Sequence, residues 1–385
     1  MPDVDLRPHQ RRVLAEIAGH EQISRSDLGR RLDLPKATLN TIVRDLVERG
    51  LVVHTDAVAA GGRGRPAGFL TLAGRPTGIG VLGWSFDALK VVIATPGGRV
   101  LAEHAHVVDK NELRIDTAAE LLGTVAGQAG YHTTDLACVV LGVPAPYQRG
   151  VGAPARRDGF GFAPWLQTDP AAALAAATGI RALLENDANL GALGEYVFGA
   201  GRDRHSLIYV KLAEHSVGAG LVINGWLHRG VTGFAGEIAH LQIDDDGPLC
   251  ACGGRGCLIH RIGPGLLDAA QHAYDQPLTY PRMLAMAADG DTGMARLLHD
   301  LGRSVGRPLA DACTMLNPEV IVVDGAAGTA GRHIIAGIAE MIDRFAAPPA
   351  AAAVTVVPGE AQTDADILGA VALARHEIDL SEIVR

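Results

Sequence analysis

Apolar positions in the first fifty residues recur every three or four places. Val13, Leu14 and Ile17 in "PHQRRVLAEIA" predict a helix over residues 8–18. A second helix is expected at "DLGRRL", capped by Ser26, whose hydroxyl can accept from the first free amides. "DLP" makes a turn, with Pro35 suited to the first position of a third helix. That helix, "KATLNTIVRDLVERG", turns Leu39, Ile42, Val43 and Leu46 inward and stops at Gly50. Two short β-rich runs, "LVVHT" and "AGFLTL", then flank "DAVAAGGRGRP". Beyond Gly78 the pattern changes. "GIGVLGW", "LKVVIATPGGRVL", "LACVVLGVPAP", "SLIYVKLA", "VGAGLVINGWLHRG" and "EVIVVDGAAG" are apolar runs or turns bordered by glycine. Helical stretches at 116–129, 169–178 and 294–315 separate several of them. This order predicts an α/β body of two βββαβαβα-like lobes with a cleft between them.

Three helices followed by a hairpin are the pattern of a winged helix-turn-helix, placed here over residues 1–75, with the body over 76–385. Such a module presents its third helix to the DNA major groove. Lys36, Thr38, Asn40, Thr41 and Arg44 lie off the apolar stripe of that helix. Lys36 and Arg44 suit phosphate or guanine; Asn40 and Thr41 suit base edges. The hairpin tip "GGRGRP" offers Arg63 and Arg65 on a thin backbone, the shape that enters a narrow, strongly negative minor groove.

Charge sharpens this division. The 385-residue chain has a net charge of −9, but residues 1–75 carry 12 Lys and Arg against 9 Asp and Glu. A basic module on an acidic body suits an anionic partner for the small part only. Hydrophobic residues make up 48% and charged residues 20%, the balance of a globular protein. No apolar run is long enough to span a bilayer, and "MPDVDLRPHQRRVLAEI" lacks the apolar core of an export signal. A cytoplasmic protein is expected. Five cysteines in such a chain are no disulfide framework. Cys138 and Cys313 stand alone in apolar surroundings as core residues, and Cys250, Cys252 and Cys257 in "LCACGGRGCLIH" read as metal binding.

The segments "KATLNTIVRDLVERGLV", "GRGRP", "ENDANLGALGEY", "GFAGEIAHLQI" and "CACGGRGC" together resemble the ROK family, sugar-responsive repressors and sugar kinases on the actin-like/hexokinase-like fold. The resemblance covers nearly the whole chain and points to the repressor branch. It places His240 with Cys250, Cys252 and Cys257 as a closed Cys3His set for a structural Zn2+ that braces the wall of a sugar site. It puts Asp187 at the kinase base position, and Asn186, Glu237 and His240 at sugar-contacting positions.

The same comparison shows what is missing for phosphoryl transfer. The family's Asp-x-Gly-x-Thr loop reads "LGWSFDAL" here, with Leu82 in place of the aspartate. Its Gly-Thr-Gly loop reads "EHSVGAGL", which brings Glu214, His215 and Ser216 to the phosphate side, and a later Gly-Gly has become Asp324-Gly325. A carboxylate repels a triphosphate, and loss of glycine blocks close backbone approach. On the sugar side Ile259 replaces a glutamate, and the loop "FGFAPW" has gained Phe160 and Phe162 beside Trp165. The expectation is a sequence-specific regulator of operator DNA, a repressor and not an enzyme. A small-molecule effector, a sugar or relative of one, would control it from a degenerate kinase cleft, in a homodimer or homotetramer. The alternatives are an ATP-dependent sugar kinase with a DNA-binding arm and a regulator without a small-molecule effector.

Overall fold

A computed structural model describes residues 7–20, 22–55, 68–73, 77–85, 88–108, 114–147, 169–213, 216–262, 264–325, 330–361 and 364–378. The chain forms two compact units. The first comprises Met1–Leu141, Ala171–Leu183 and Val371–Arg385; the second comprises Gly142–Pro170 and Leu184–Ala370.

The first unit opens with α1 (Pro8–Ala18), β1 (Ile23–Ser24), α2 (Arg25–Leu32), α3 (Lys36–Glu48), β2 (Val52–Thr55) and β3 (Phe69–Leu72). The predicted inward residues Val13, Leu14, Ile17, Leu39, Ile42, Val43 and Leu46 are all buried. The three strands form an antiparallel sheet in the order β1-β3-β2. Two local expectations shift by a residue or two. The cap of α2 is Ser24, whose hydroxyl accepts from the Asp27 amide at 3.1 Å, while Ser26 is the second helical residue and shares a hydrogen bond with Ser24. Ser24 precedes the first helical residue, so only its side chain can turn back onto the free amides. Pro35 is the residue before α3, not its first member, and Gly50 ends the segment at φ +70°.

The body builds the same sheet twice. β4 (Gly78–Trp84), β5 (Ala88–Ala94) and β6 (Val100–Val107) pair antiparallel; α4 (Ile115–Gln128), β7 (Leu136–Val143), α5 (Pro170–Thr178) and β8 (Ala182–Asn186) follow, giving the order β6-β5-β4-β7-β8. Then come α6 (Asp187–Phe198), β9 (Leu207–Ala213), β10 (Ser216–Ile223) and β11 (Trp226–Leu227). They are followed by α7 (Pro264–Gln271), α8 (Tyr280–Ala288), α9 (Thr292–Leu316), β12 (Val320–Val323), α10 (Gly331–Phe345), α11 (Pro348–Ala353), β13 (Thr355–Pro358) and α12 (Ala365–Glu377). The second sheet runs β11-β10-β9-β12-β13, the same order as the first. Its hairpin strands are antiparallel, and β9, β12 and β13 are parallel. Two βββαβαβα-like lobes were expected, and this is their strand pattern.

Alternation along the second sheet explains its two covered faces. Ile208, Val210, Ile321 and Val323 join Leu298, Leu301, Val305, Leu309, Ile334 and Ile338 from α9 and α10 in one apolar core. The intervening residues Leu207, Tyr209, Val320 and Val322 pack with Ala192 of α6 and Ala365 of α12 on the other face. A strand buried on both sides reads as a continuous apolar run, as "LIYV" and "VIVV" do. Cys138 and Cys313 are fully buried, as expected of core residues. Among the described residues no helix is long and apolar enough to cross a membrane.

Candidate functional site

The face of α3 opposite its buried stripe is polar. Lys36, Thr38, Asn40, Thr41 and Arg44 are all exposed. The Thr41 hydroxyl donates to the Ala37 carbonyl at 3.1 Å, and Arg44 approaches Glu48 at 4.0 Å one turn on. At that distance and exposure, the contact leaves Arg44 available to an anionic partner. Arg63 and Arg65 lie outside the described residues, as do Phe160, Phe162, Trp165, Glu214 and His215.

In the second unit an open cleft of about 50 Å³ is lined by Pro144, Ala145, Asn186, Asp187, Lys211, Ser216 and Glu237, among others. The strand-to-helix step at "ENDAN" builds its floor. Asn186 caps α6, its side-chain oxygen accepting from the Asn189 amide at 3.0 Å and its side-chain amide donating to the Ala145 carbonyl at 3.2 Å. Asp187 is therefore the first helical residue. The positive end of the helix dipole supports its charge, and the Ala188 amide donates to Oδ1 at 2.8 Å. Its other oxygen accepts from Lys211 Nζ at 2.9 Å; the same ammonium lies 3.6 Å from Asp366. Burial pulls the lysine down, but Asp187 and Asp366 outweigh it and hold Lys211 above the ordinary lysine range. Beneath them Glu185, fully buried, accepts from Arg229 at 2.7 Å and from the Asn189 side chain at 3.0 Å. Glu237 reaches the cleft from a short turn whose Gly236, at φ +89°, lies against β10: a methyl there would stand 1.9 Å from the Ala219 carbonyl oxygen. Burial, and next the charge of Asp187, push Glu237 up to about 7.

Close by in sequence, the cysteine loop closes on itself. Cys250 N donates to the Gly254 carbonyl at 2.8 Å, Gly253 N returns to Cys250, and Gly256 N donates to Pro248. Gly256 has φ +62°, and a methyl there would stand 1.6 Å from the Asp244 carbonyl oxygen, so only glycine allows this crossing. The result brings four donor atoms together. Cys250 Sγ and His240 Nδ1 are 3.6 Å apart, Cys252 and Cys257 Sγ are 3.6 Å apart, and all four lie within 4.8 Å of one another. Arms of about 2.3 Å to sulfur imply edges near 3.7 Å, so the set fits one metal ion. Burial lowers His240, with His260 adding to it, which keeps the imidazole neutral as a ligand must be. Burial and the neighbouring thiols push Cys257 up to about 12, a cost that a dication removes.

The ROK family profile matches residues 100–377, and the MarR family profile matches residues 4–64. This chain belongs to the ROK family. It is 28% identical over 323 residues to the xylose repressor of Bacillus subtilis strain 168, covering 82% of this chain and 81% of that one. It is 29% identical over 264 residues to a glucokinase of Thermotoga maritima, covering 62% of this chain and 81% of that one. A solved ROK family transcriptional regulator, described as a homologue of the Escherichia coli Mlc protein, superposes with a TM-score of 0.77 at 23% identity, covering 98% of this chain and 96% of that one. The MarR-type winged helix stands before the sugar-kinase-like ROK domain in the same chain, as the residues implied.

The ROK positions that depart from the kinase pattern have structural partners of their own. Leu82 is fully buried within β4, and Ile259 packs against the apolar core beside α9. Asp324 follows β12 and is hydrogen-bonded through its amide to Val210. Sequence reasoning did not find Lys211. Its signal was a lysine in the middle of the apolar run "LIYVKLA", a position that costs free energy unless the ammonium is paired.

Glu237 gives a pH prediction. Its pKa in the fold lies above the ordinary value of 4.5, so the folded chain binds the extra proton and loses stability as pH rises from 4.5 through about 7. Glu237→Gln should therefore match the wild type near pH 4.5 and exceed it by about 3 kcal/mol at most above pH 8. Urea midpoints against pH measure this; a constant difference across the range would refute it.

Proposed function

We propose that this ROK protein is a DNA-binding transcriptional repressor whose operator affinity is set by a sugar or a related polyol in the Asp187 cleft. The observation that carries the reading is the exposed Lys36–Arg44 face of α3 on a MarR-type module, joined to a ROK domain in one chain. We place the module at residues 1–75 and the effector domain at 76–385. Lys36 and Arg44 serve the phosphates or guanine, and Thr38, Asn40 and Thr41 the base edges, with Arg63 and Arg65 in the minor groove. Two such helices in a closed dimer, or a tetramer built of dimers, would read half-sites about 34–36 Å apart. An effector that alters their spacing changes affinity without touching DNA. The reading fits a protein acting in the cytoplasm, where operator DNA and sugar meet.

Asn186, Asp187, Glu237 and His240 form the ligand-contacting set. Asp187 is what favours the second reading, a sugar kinase with a DNA-binding arm. Its partner argues against that. A general base must take the hydroxyl proton, whereas here Asp187 is already ion-paired with Lys211 on one oxygen and accepts from the Ala188 amide on the other, with only its remaining lone pairs open. A hydroxyl can still donate to a paired carboxylate, which suffices for recognition. His240, Cys250, Cys252 and Cys257 hold a structural Zn2+. Three thiolates and an imidazole leave a tetrahedral ion no open position, so the metal supplies rigidity to the turn that carries Glu237 and no chemistry of its own.

Two outcomes are expected. Full-length protein should enrich a palindromic duplex from a random library. Lys36→Ala with Arg44→Ala should then weaken binding to that duplex and reduce the log–log salt slope by about two. No enriched duplex, or an unchanged slope, would contradict the DNA reading. Purified protein should carry about one zinc per chain. Cys252→Ser should lose it and cost the second unit a few kcal/mol, read as a lower urea midpoint. Metal analysis without zinc would contradict the metal assignment and leave the DNA reading intact.

A further inference from the structure

The last helix, α12, carries opposite charges to two separate places. Near its start, Asp366 lies 3.6 Å from Lys211 Nζ, the ammonium that holds Asp187. The Asp366 carboxylate also accepts from the Ile367 amide at 2.9 Å, which fixes it to the helix backbone. The following turns lie backbone to backbone on α6. A methyl on Gly369 would stand 1.7 Å from the Leu190 carbonyl oxygen, and one on Gly194 would stand 1.9 Å from the Ala365 carbonyl oxygen. No flexible side chain cushions this contact. α12 therefore moves with α6, whose first residue is Asp187.

The other end of α12 meets the DNA-binding module. Arg375 Nη2 donates to the Ala15 carbonyl at 3.1 Å, in the last turn of α1. A cation there faces the negative end of the helix dipole. The guanidinium fills the space where a side chain at position 19 would be: a methyl on Gly19 would stand 2.3 Å from Nη2. Glu16 is the nearby carboxylate, itself 3.6 Å from Arg31 and 3.8 Å from His20. Burial draws Arg375 below the ordinary arginine range, Glu16 partly restores it, and Arg31 opposes it. The Arg375 side chain is half-buried there. Residues of α12 up to Ala370 belong to the second unit and those from Val371 to the first.

We infer that α12 is the strut that carries the state of the Asp187 cleft to the DNA-reading module, with Arg375 as its joint on α1. A ligand that competes for Asp187 or Lys211 changes the load on Asp366. The close contact with α6 prevents α12 from absorbing that change locally. Arg375 passes it to α1, whose Val13, Leu14 and Ile17 share a small core with α3. Such coupling is an energetic claim and needs a coupling measurement. It goes beyond the effector reading, because the strut is tested by substitution alone.

The experiment is amide hydrogen exchange on the full-length chain in four forms: wild type, Asp366→Asn, Arg375→Gln and the double variant. Asp366→Asn keeps the helix-end hydrogen bond but removes the charge on Lys211. In the wild-type background it should speed exchange across residues 8–20 by at least about threefold. In the Arg375→Gln background, which already exchanges faster there, it should add nothing. Residues 292–316 serve as the control for an intact second unit. An equal response in both backgrounds, or none in the wild type, would overturn the strut. If Arg375→Gln does not fold, Arg375→Lys replaces it. A single ammonium in place of the planar fork should at least halve the response, and an undiminished one would overturn the proposal.

Discussion

The ammonium of Lys211 holds the second unit's polar centre together. Asp187, Asp366 and Asp324 surround it, and a buried charge of either sign is tolerated only when paired. Lys211 Nζ lies 2.9 Å from Asp187 at the start of α6 and 3.6 Å from Asp366 at the start of α12. The same arrangement limits what the cleft accepts. One lysine faces more carboxylates than it can neutralise, so the field disfavours phosphates. A neutral polyol that donates hydroxyl protons to Asp187 and Glu237 meets no such penalty.

Phosphoryl transfer demands the reverse field. Its acceleration comes from positioning and from neutralising phosphate charge. Here the positions that resemble the family's phosphate loops are filled otherwise: Leu82 belongs to a strand interior and Asp324 brings a further negative charge. The fold keeps a compact cysteine loop, a small open cleft and an aspartate at a helix start.

Much of this was legible in the residues. The stripe of Leu39, Ile42, Val43 and Leu46 fixes which face of α3 is exposed, because helical periodicity depends only on neighbours in sequence. The cysteine cluster was legible because its three thiols and its glycines lie within one short segment, while His240 came from the family resemblance. "ENDAN" was legible through its resemblance to the family's base position, whereas its passage from strand into helix was not. The α2 cap was misplaced by two residues, since "SRS" offers two serines and only the backbone decides which precedes the helix. The pairs that organise the molecule were not legible. Lys211 with Asp366, Glu185 with Arg229, and Arg375 with Ala15 join residues far apart in the chain, and no local pattern encodes such partners. A lysine inside an apolar strand signals that a partner exists without saying where.

The central claim is that a kinase fold has been retained as a sensor, its aspartate bound by lysine. The most direct measurement is ADP release over a broad sugar panel at millimolar Mg-ATP, comparing wild type with Asp187→Ala. The account predicts no sugar-dependent ADP above the Asp187→Ala background, together with sugar binding that weakens in that variant. Sugar-dependent turnover in the wild type that disappears in Asp187→Ala would contradict it.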